Sequence, residues 1–358
     1  MKKTILITVM ILIIFTVALS DEFYPDIRPG YGVTDIGWLS DYFSPLKGTN
    51  MDTPVFYMES GVEGPTFLLL GGTHPREIAG TTAATLFLEN VVVESGRVIV
   101  IPFANKSAAS VADSAYRPEM PHFIPVETKS GIRYLVYADR RTDIIDQGIE
   151  DPETFIHYPT GFKLEDGSET RNLNRCYPGK IDGTPTQQLA YGIMELIRNE
   201  KVNFNLDMHE SDTPEEYTTE DGNTYQGGRL AYMLVCHPKG IEIGAMVNMS
   251  LEDEGFPMKL EESSFKFRGL SHREIGDNSD CISFLSESPN PAQDRWRKNP
   301  DVIDDEKYPL NHRVGMHLDL IRYLIEYYNM FSVNGEILIE NIPYSSDLTE
   351  NGIEYYLN

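Results

Sequence analysis

The sequence predicts an α/β fold built on a sheet that is at least partly parallel, and three observations carry that prediction. Short apolar runs alternate along the chain with amphipathic stretches. Several of the runs are apolar throughout, as strands covered on both faces are. No internal repeat or low-complexity linker interrupts the alternation, so 358 residues form one domain large enough to bury a full core.

The runs that read as strands are Pro54 to Met58, Thr66 to Leu70, Arg97 to Pro102, Val202 to Asp207, Ala231 to Cys236 and Cys281 to Ser286. Between them, Ile78 to Asn90, Thr186 to Asn199 and Gly240 to Leu251 read as helices. Pro185 suits the first turn of the second, where a missing N–H costs nothing. A last helix near Val314 to Tyr328 carries apolar Met316, Leu318, Leu320, Ile321 and Leu324. The segment from Ser107 to Glu169 breaks this rhythm with many polar and aromatic residues. It reads as a long excursion from the core, with room for a hairpin, that could shape a pocket. The tail from Phe331 to Asn358 contains the alternating run Glu336-Ile337-Leu338-Ile339-Glu340, an edge strand or a short appendage too small to stand alone.

Lys2 and Lys3, an apolar run from Ile5 to Ala18, and Ala18-Leu19-Ser20 ahead of Asp21-Glu22 have the order of a cleavable export signal. The run is short for a membrane span, and no second apolar stretch of that length follows. No stable membrane association is therefore expected once residues 1–20 are removed. Thirty basic against fifty-five acidic residues leave a formal charge of −25, which repels nucleic-acid backbones and anionic lipid surfaces alike. The three cysteines, Cys176, Cys236 and Cys281, are too few and too odd in number for a disulfide framework, so the core must hold the fold.

The strongest local signal is Leu68-Leu69-Leu70-Gly71-Gly72-Thr73-His74-Pro75-Arg76-Glu77, an apolar strand ending in two glycines and then His74-x-x-Glu77. Residues three apart share a face once a helix starts, so an imidazole and a carboxylate can point together where open α/β sheets bind ligands. A zinc ion needs such a pair plus a third protein ligand, and His209 supplies one at the end of Phe204-Asn205-Leu206-Asp207-Met208-His209. Alone, His-x-x-Glu is as readily a surface pair at a helix start; the second strand-end histidine favours a metal. Asp207, two residues earlier, shares the face of His209 and could accept its second N–H, or be a solvated strand-end acid. Arg171-Asn172-Leu173-Asn174-Arg175-Cys176-Tyr177-Pro178-Gly179 is a donor-rich segment in an acidic chain. It suits an anionic end of a substrate, although an arginine among so many acids can equally be spent on a structural ion pair.

These residues, Gly-Gly-Thr-His-x-x-Glu at 71–77, Asn-Leu-Asn-Arg-Cys-Tyr-Pro-Gly at 172–179 and Asp-x-His at 207–209, resemble the zinc carboxypeptidase superfamily. Within it they look like the succinylglutamate desuccinylase/aspartoacylase branch, in its order and over residues 50 to 330. The resemblance implies a three-layer α/β/α fold with a mixed, partly parallel central sheet. It implies one Zn2+ per chain on His74, Glu77 and His209, with Asn174 and Arg175 on the substrate's free carboxylate. Arg171 looks like the arginine that polarises the scissile carbonyl. The late-strand glutamate that serves as general base and acid corresponds to Glu287, since its rival Glu210 would face away from His209. Pro75-Arg76 departs from the branch, which often has Gly followed by Asp or Asn there. An assisting tyrosine finds no clear place, as Tyr217 and Tyr225 both lie in the loop after His209.

The expectation is then a signal peptide over 1–20, a zinc hydrolase domain over 21–330 and a short tail over 331–358. The protein would be secreted or periplasmic and would act on a small N-acyl amino acid or a peptide, as a deacylase or a carboxypeptidase. A secreted binding protein that keeps the fold without catalysis is the alternative, and it has no need for Glu287.

Overall fold

In the computed structural model, which describes residues 23–358, the apolar runs assemble into one eight-stranded sheet. The expected signal peptide at 1–20 lies outside the described residues. In chain order the strands are β1 (Asp35–Trp38), β2 (Pro54–Glu59), β3 (Thr66–Leu70), β4 (Arg97–Ile101), β5 (Phe204–Ser211), β6 (Met233–Cys236), β7 (Lys259–Glu262) and β8 (Ile282–Pro289). Across the sheet they lie in the order β1-β2-β4-β3-β5-β8-β6-β7. The centre, β4-β3-β5-β8, is parallel throughout, while β1, β2 and β6 pair antiparallel with a neighbour.

Helices α1 (Ile78–Asn90), α2 (Pro185–Asn199), α3 (Ile241–Asp253), α4 (Ser271–Asn278) and α5 (Leu310–Phe331) cover both faces. Phe67, Leu69, Phe204, Leu206 and Met208 pack with α1, α3 and α5 on one side. Leu68, Leu70, Ile99 and Ile101 pack with α2 and α4 on the other, which makes three layers around two cores. Thr184 starts α2 with a capping box to Gln187, and Pro185 occupies its first turn. Helix α1 lies directly on β5, because a Cβ on Gly80 would stand 2.6 Å from the carbonyl oxygen of Met208.

The elements missed in the sequence are the least apolar. Edge strands β1 and β7 are short and carry exposed charge, which protects an open edge but leaves no hydrophobic run to read. Helix α4, Ser-His-Arg-Glu-Ile-Gly-Asp-Asn, is buried through polar contacts. The excursion contains the antiparallel hairpin of Phe123–Thr128 with Gly131–Val136. The tail strand Leu338–Glu340 joins Val92–Ser95 in a separate two-stranded ribbon, and Leu348, Ile353 and Leu357 return to the larger core. All three cysteines are buried free thiols. Among the described residues no helix is long and apolar enough to cross a membrane.

The hairpin is fixed to α1 by charge. Arg133, 2% exposed, donates to both carboxylate oxygens of Glu89 at 2.7 and 3.1 Å and to Asp26 at 2.9 Å. Removing one member of a buried pair strands the other, so Arg133→Met is expected to cost about 3–5 kcal/mol in urea denaturation. Adding Glu89→Leu should recover a large part of that loss; a single-variant cost below about 1 kcal/mol would show the pair to be dispensable.

Candidate metal centre and its cavity

Strand β3 ends at Leu70, and the chain turns at once through Gly71 and Gly72, the latter at φ +60°. A Cβ on Gly72 would stand 2.9 Å from the Cα of Phe103, so only glycine lets the turn lie this close to the segment after β4. The turn delivers His74 and Glu77, each 4% exposed, to the start of α1. Beside it, β5 pairs with β3 only over Phe204–Asp207, so its last residues run past the end of β3. Asp207 and His209 share the face that meets the turn, and on the far side His209 pairs with Glu287 of β8.

Glu77 stands at the N-cap of α1, yet its carboxylate does not cap the helix. Glu210 does so instead, accepting from Ala79 N at 3.0 Å, while its own N–H donates to Glu77 Oε2 at 3.2 Å. The carboxylate of Glu77 is thereby free for the histidines. Its Oε1 is 2.9 Å from His74 Nδ1 and its Oε2 2.7 Å from His209 Nδ1. The two Nδ1 atoms face each other at 3.2 Å.

Behind each ring sits an acceptor. His74 Nε2 is 2.8 Å from Asn172 Oδ1, and His209 Nε2 is 3.0 Å from Asp207 Oδ2. Asp207 is itself held by Thr73 Oγ1 at 2.8 Å and Ser271 Oγ at 2.6 Å. The acceptor at His74 Nε2 and the Asp207 charge close to His209 Nε2 favour the proton on those nitrogens and turn the Nδ1 lone pairs inward. Two imidazole nitrogens and a carboxylate, with ligand atoms all within 4.8 Å of one another, then converge on one point. Such a set calls for a positive charge. Against burial, which lowers it, the charges of Asp207 and Glu77 hold the pKa of His209 well above its usual value; burial lowers that of His74 to about 4. A metal ion with nitrogen and oxygen ligands meets the same demand, so the residues fit zinc.

A cavity of about 440 Å³ opens over this group, and Arg140, Asn174, Arg175 and Glu287 line it. Glu287 Oε2 is buried and, among the described residues, has no hydrogen-bond partner. Burial raises its pKa to about 8, with the charge of His209 opposing and that of Glu77 adding. Asn174 Oδ1 accepts from Ser271 N at 2.7 Å, which leaves its Nδ2 for a ligand. Arg175 is tethered by Nη1 to Asn174 O at 2.7 Å and by Nε to Glu169 at 3.3 Å.

Arg171 does not line this cavity. Its Nε and Nη2 grip Asp151 at 2.9 Å and its Nη1 reaches Thr142 O at 2.8 Å, so the guanidinium is used in a structural ion pair. Arg140 stands at the cavity instead; among the described residues nothing pairs with its guanidinium, and its Nε is buried without a partner. No motif or periodicity selects Arg140, which lies in the aperiodic excursion, or His272, an isolated histidine that also lines the cavity. Glu210 faces the opposite side of β5, 2.6 Å from Arg313. Arg76 turns away to Asp113 at 2.6 Å. Tyr217 stacks on Trp296 at 4.5 Å, and neither it nor Tyr225 lines the cavity.

No protein-family model matches the chain. Over 139 residues it is 29% identical to N-alpha-acetyl-L-2,4-diaminobutyric acid deacetylase of Halomonas elongata, a match covering 38% of this chain and 26% of that protein. Among solved structures, cell shape determinant protein Csd4 of Helicobacter pylori aligns with a TM-score of 0.45 and 15% identity, over 80% of this chain and 55% of that one. A succinylglutamate desuccinylase/aspartoacylase of Rhodobacter sphaeroides aligns at 0.42 and 18%, over 76% of this chain and 59% of that one. The ectoine utilization protein of Ruegeria pomeroyi aligns at 0.41 and 14%, over 76% and 61%. This chain thus spans little more than half the length of these structures and about a quarter of the curated relative.

Proposed function

We propose that the protein is a zinc-dependent hydrolase that cleaves an amide bond next to a residue bearing a free carboxylate. The observation that carries this reading is the inward-facing group of His74 Nδ1, His209 Nδ1 and the Glu77 carboxylate on the floor of a cavity that also holds an unpartnered acid. Held by these three residues, a zinc ion supplies Lewis acidity toward a carbonyl and toward water at neutral pH.

The chain's own residues supply the rest. Asn174 Nδ2 and the Arg175 guanidinium bind the substrate carboxylate and so orient the scissile amide. Glu287 takes a proton from the attacking water and returns it to the leaving nitrogen; burial raises its pKa and a cation on the three ligands would lower it again, so that the carboxyl can serve both tasks. Arg140 stabilises the oxyanion, the role first expected of Arg171. The cavity has room for one amino-acid-sized leaving portion and a short acyl group, which suits an N-acyl amino acid or the end of a peptide. Glu261 also lines it without an ion-pair partner among the described residues, offering a place to a cationic side chain. The similarity to a deacetylase named for a diamino acid supports that direction. The export signal read at residues 1–20 puts the reaction outside the cytoplasm.

Metal analysis of the purified protein is expected to find about one zinc per chain in wild type and almost none in His209→Ala. Absence of zinc from wild type after reconstitution would leave the binding-protein reading in front. In a screen of N-acyl amino acids and short peptides, Glu287→Gln should keep its zinc and lose about 10²–10⁴-fold in kcat; near-normal turnover would remove Glu287 from the chemistry. Arg140→Gln should cost about 10²–10³-fold in kcat, while Arg171→Gln stays within a few-fold of wild type. The reverse ranking would restore the role to Arg171.

A further inference from the structure

The acceptor behind His74 is an amide, and an amide has a wrong way round. If Asn172 presented Nδ2 to His74, the ring would have to carry its proton on Nδ1, where the lone pair must face the ion. The orientation is read at both ends. Oδ1 accepts from Asn174 N at 3.0 Å as well as facing His74, and Nδ2 donates to Glu169 Oε2 at 2.7 Å. Asn172 is fully buried, so no water can substitute for either partner.

Glu169, 6% exposed, is itself anchored by Arg141 Nη2 on Oε1 at 2.8 Å. Its Oε2 also lies 3.3 Å from Arg175 Nε, the guanidinium that lines the cavity. We propose that Glu169 is a positioning residue that fixes the Asn172 amide, and through it the proton of His74, while holding Arg175 against the same oxygen. One buried carboxylate thus sets both a metal ligand and the substrate clamp. Against burial, the charges of Arg140 and Arg175 hold its pKa down to about 2, so it remains an acceptor at every pH at which the protein works.

The geometry specifies a substitution that breaks the device and another that repairs it. In Glu169→Gln the side chain has one oxygen for three donors, Arg141 Nη2, Asn172 Nδ2 and Arg175 Nε, so either a donor meets a donor or Asn172 turns over. Adding Asn172→Asp reverses the polarity of the contact. The introduced glutamine amide then accepts from Arg141 and donates to the introduced aspartate, which presents oxygen to His74 and to Asn174 N as before; the metal-ligand arm is repaired, while Arg175 Nε still lacks its acceptor.

The inference rests on the zinc reading, and the experiment separates the two. Zn2+ affinity of the full chain is measured by competition with a chromophoric chelator, and the visible spectrum is recorded with Co2+ in its place. Glu169→Gln is expected to weaken Zn2+ binding by about 10–100-fold and alter the Co2+ bands, with the double variant recovering most of the loss. It should also raise KM for carboxylate-bearing substrates more than it lowers kcat. A general loss of structure would not be repaired by changing Asn172. Unchanged affinity in folded Glu169→Gln, or a double variant as weak as the single, overturns the inference and leaves the zinc reading intact. Wild type that binds no Zn2+ overturns both. Should the single variant not fold, the double variant decides alone, since affinity near wild type is expected and affinity as poor as that of His209→Ala overturns the proposal.

Discussion

The arrangement of the centre depends on a carboxylate whose bonds all go to structural partners, not to the metal-binding group. Glu210 and Arg313 are both fully buried in side chain and meet at 2.6 Å. A buried ion pair is stable only when its remaining lone pairs and protons are also met, and here each of those bonds reaches a different segment. Glu210 accepts from Ala79 N at the start of α1, from Ser288 Oγ on β8 and from Asn290 Nδ2 just beyond it. Arg313 of α5 donates in turn to the carbonyls of Tyr308 and Val302. The strand of His209, the helix that begins beside Glu77 and the strand of Glu287 are thereby clamped at one point, on the face of β5 away from the site.

That division of faces is the logic of β5. Phe204, Leu206 and Met208 lie on the side of α1 and α5, and Asn205, Asp207 and His209 alternate with them toward α2 and α4. A central strand with neighbours on both sides is expected to be apolar on both faces. Buried polar residues at every second position there need hydrogen bonds: Asp207 is held by Thr73 and Ser271, and Asn205 Oδ1 accepts from the thiol of Cys281, while Asn205 Nδ2 finds no partner among the described residues. The polar α4 follows from the same requirement, since its first residue supplies Ser271 to Asp207 and to Asn174.

Much of this was legible because the signals are local. The strand of Thr66–Leu70, the helix of Ile78–Asn90 and the histidine two positions after Asp207 follow from periodicity and from glycines placed where the chain must turn. Arg171 and Arg140 show where legibility stops. Arg171 lies in a motif and Arg140 in an aperiodic excursion, but which guanidinium faces the cavity is decided by Asp151, which takes Arg171, and no pattern along the chain shows that contact. His272 is silent for the same reason, as is Glu169, whose importance lies in an amide oriented from two directions. The edge strands were missed on different grounds, because the charges that keep an edge from aggregating erase the apolar run.

The charge balance of the site ties these parts together. A formal charge of −25 makes positive charge the scarce quantity in this chain, and the centre concentrates the demand for it: Glu77, Asp207 and Glu287 lie within one buried neighbourhood. With only imidazolium to answer them, burial and the charge of Glu77 push the Glu287 carboxyl up, toward its protonated form. A divalent cation on His74, Glu77 and His209 adds positive charge beside it and favours its carboxylate form. On the zinc reading proposed above, Glu287 would then be ionised when the metal is in place. The guanidinium of Arg140, unpaired among the described residues, acts on Glu287 and Glu169 at once and keeps that cluster tolerable without being consumed by either of them. A lysine or arginine paired as Arg171 is with Asp151 would have its charge spent, which is why the unpaired cation stands at the cavity and the paired one behind it.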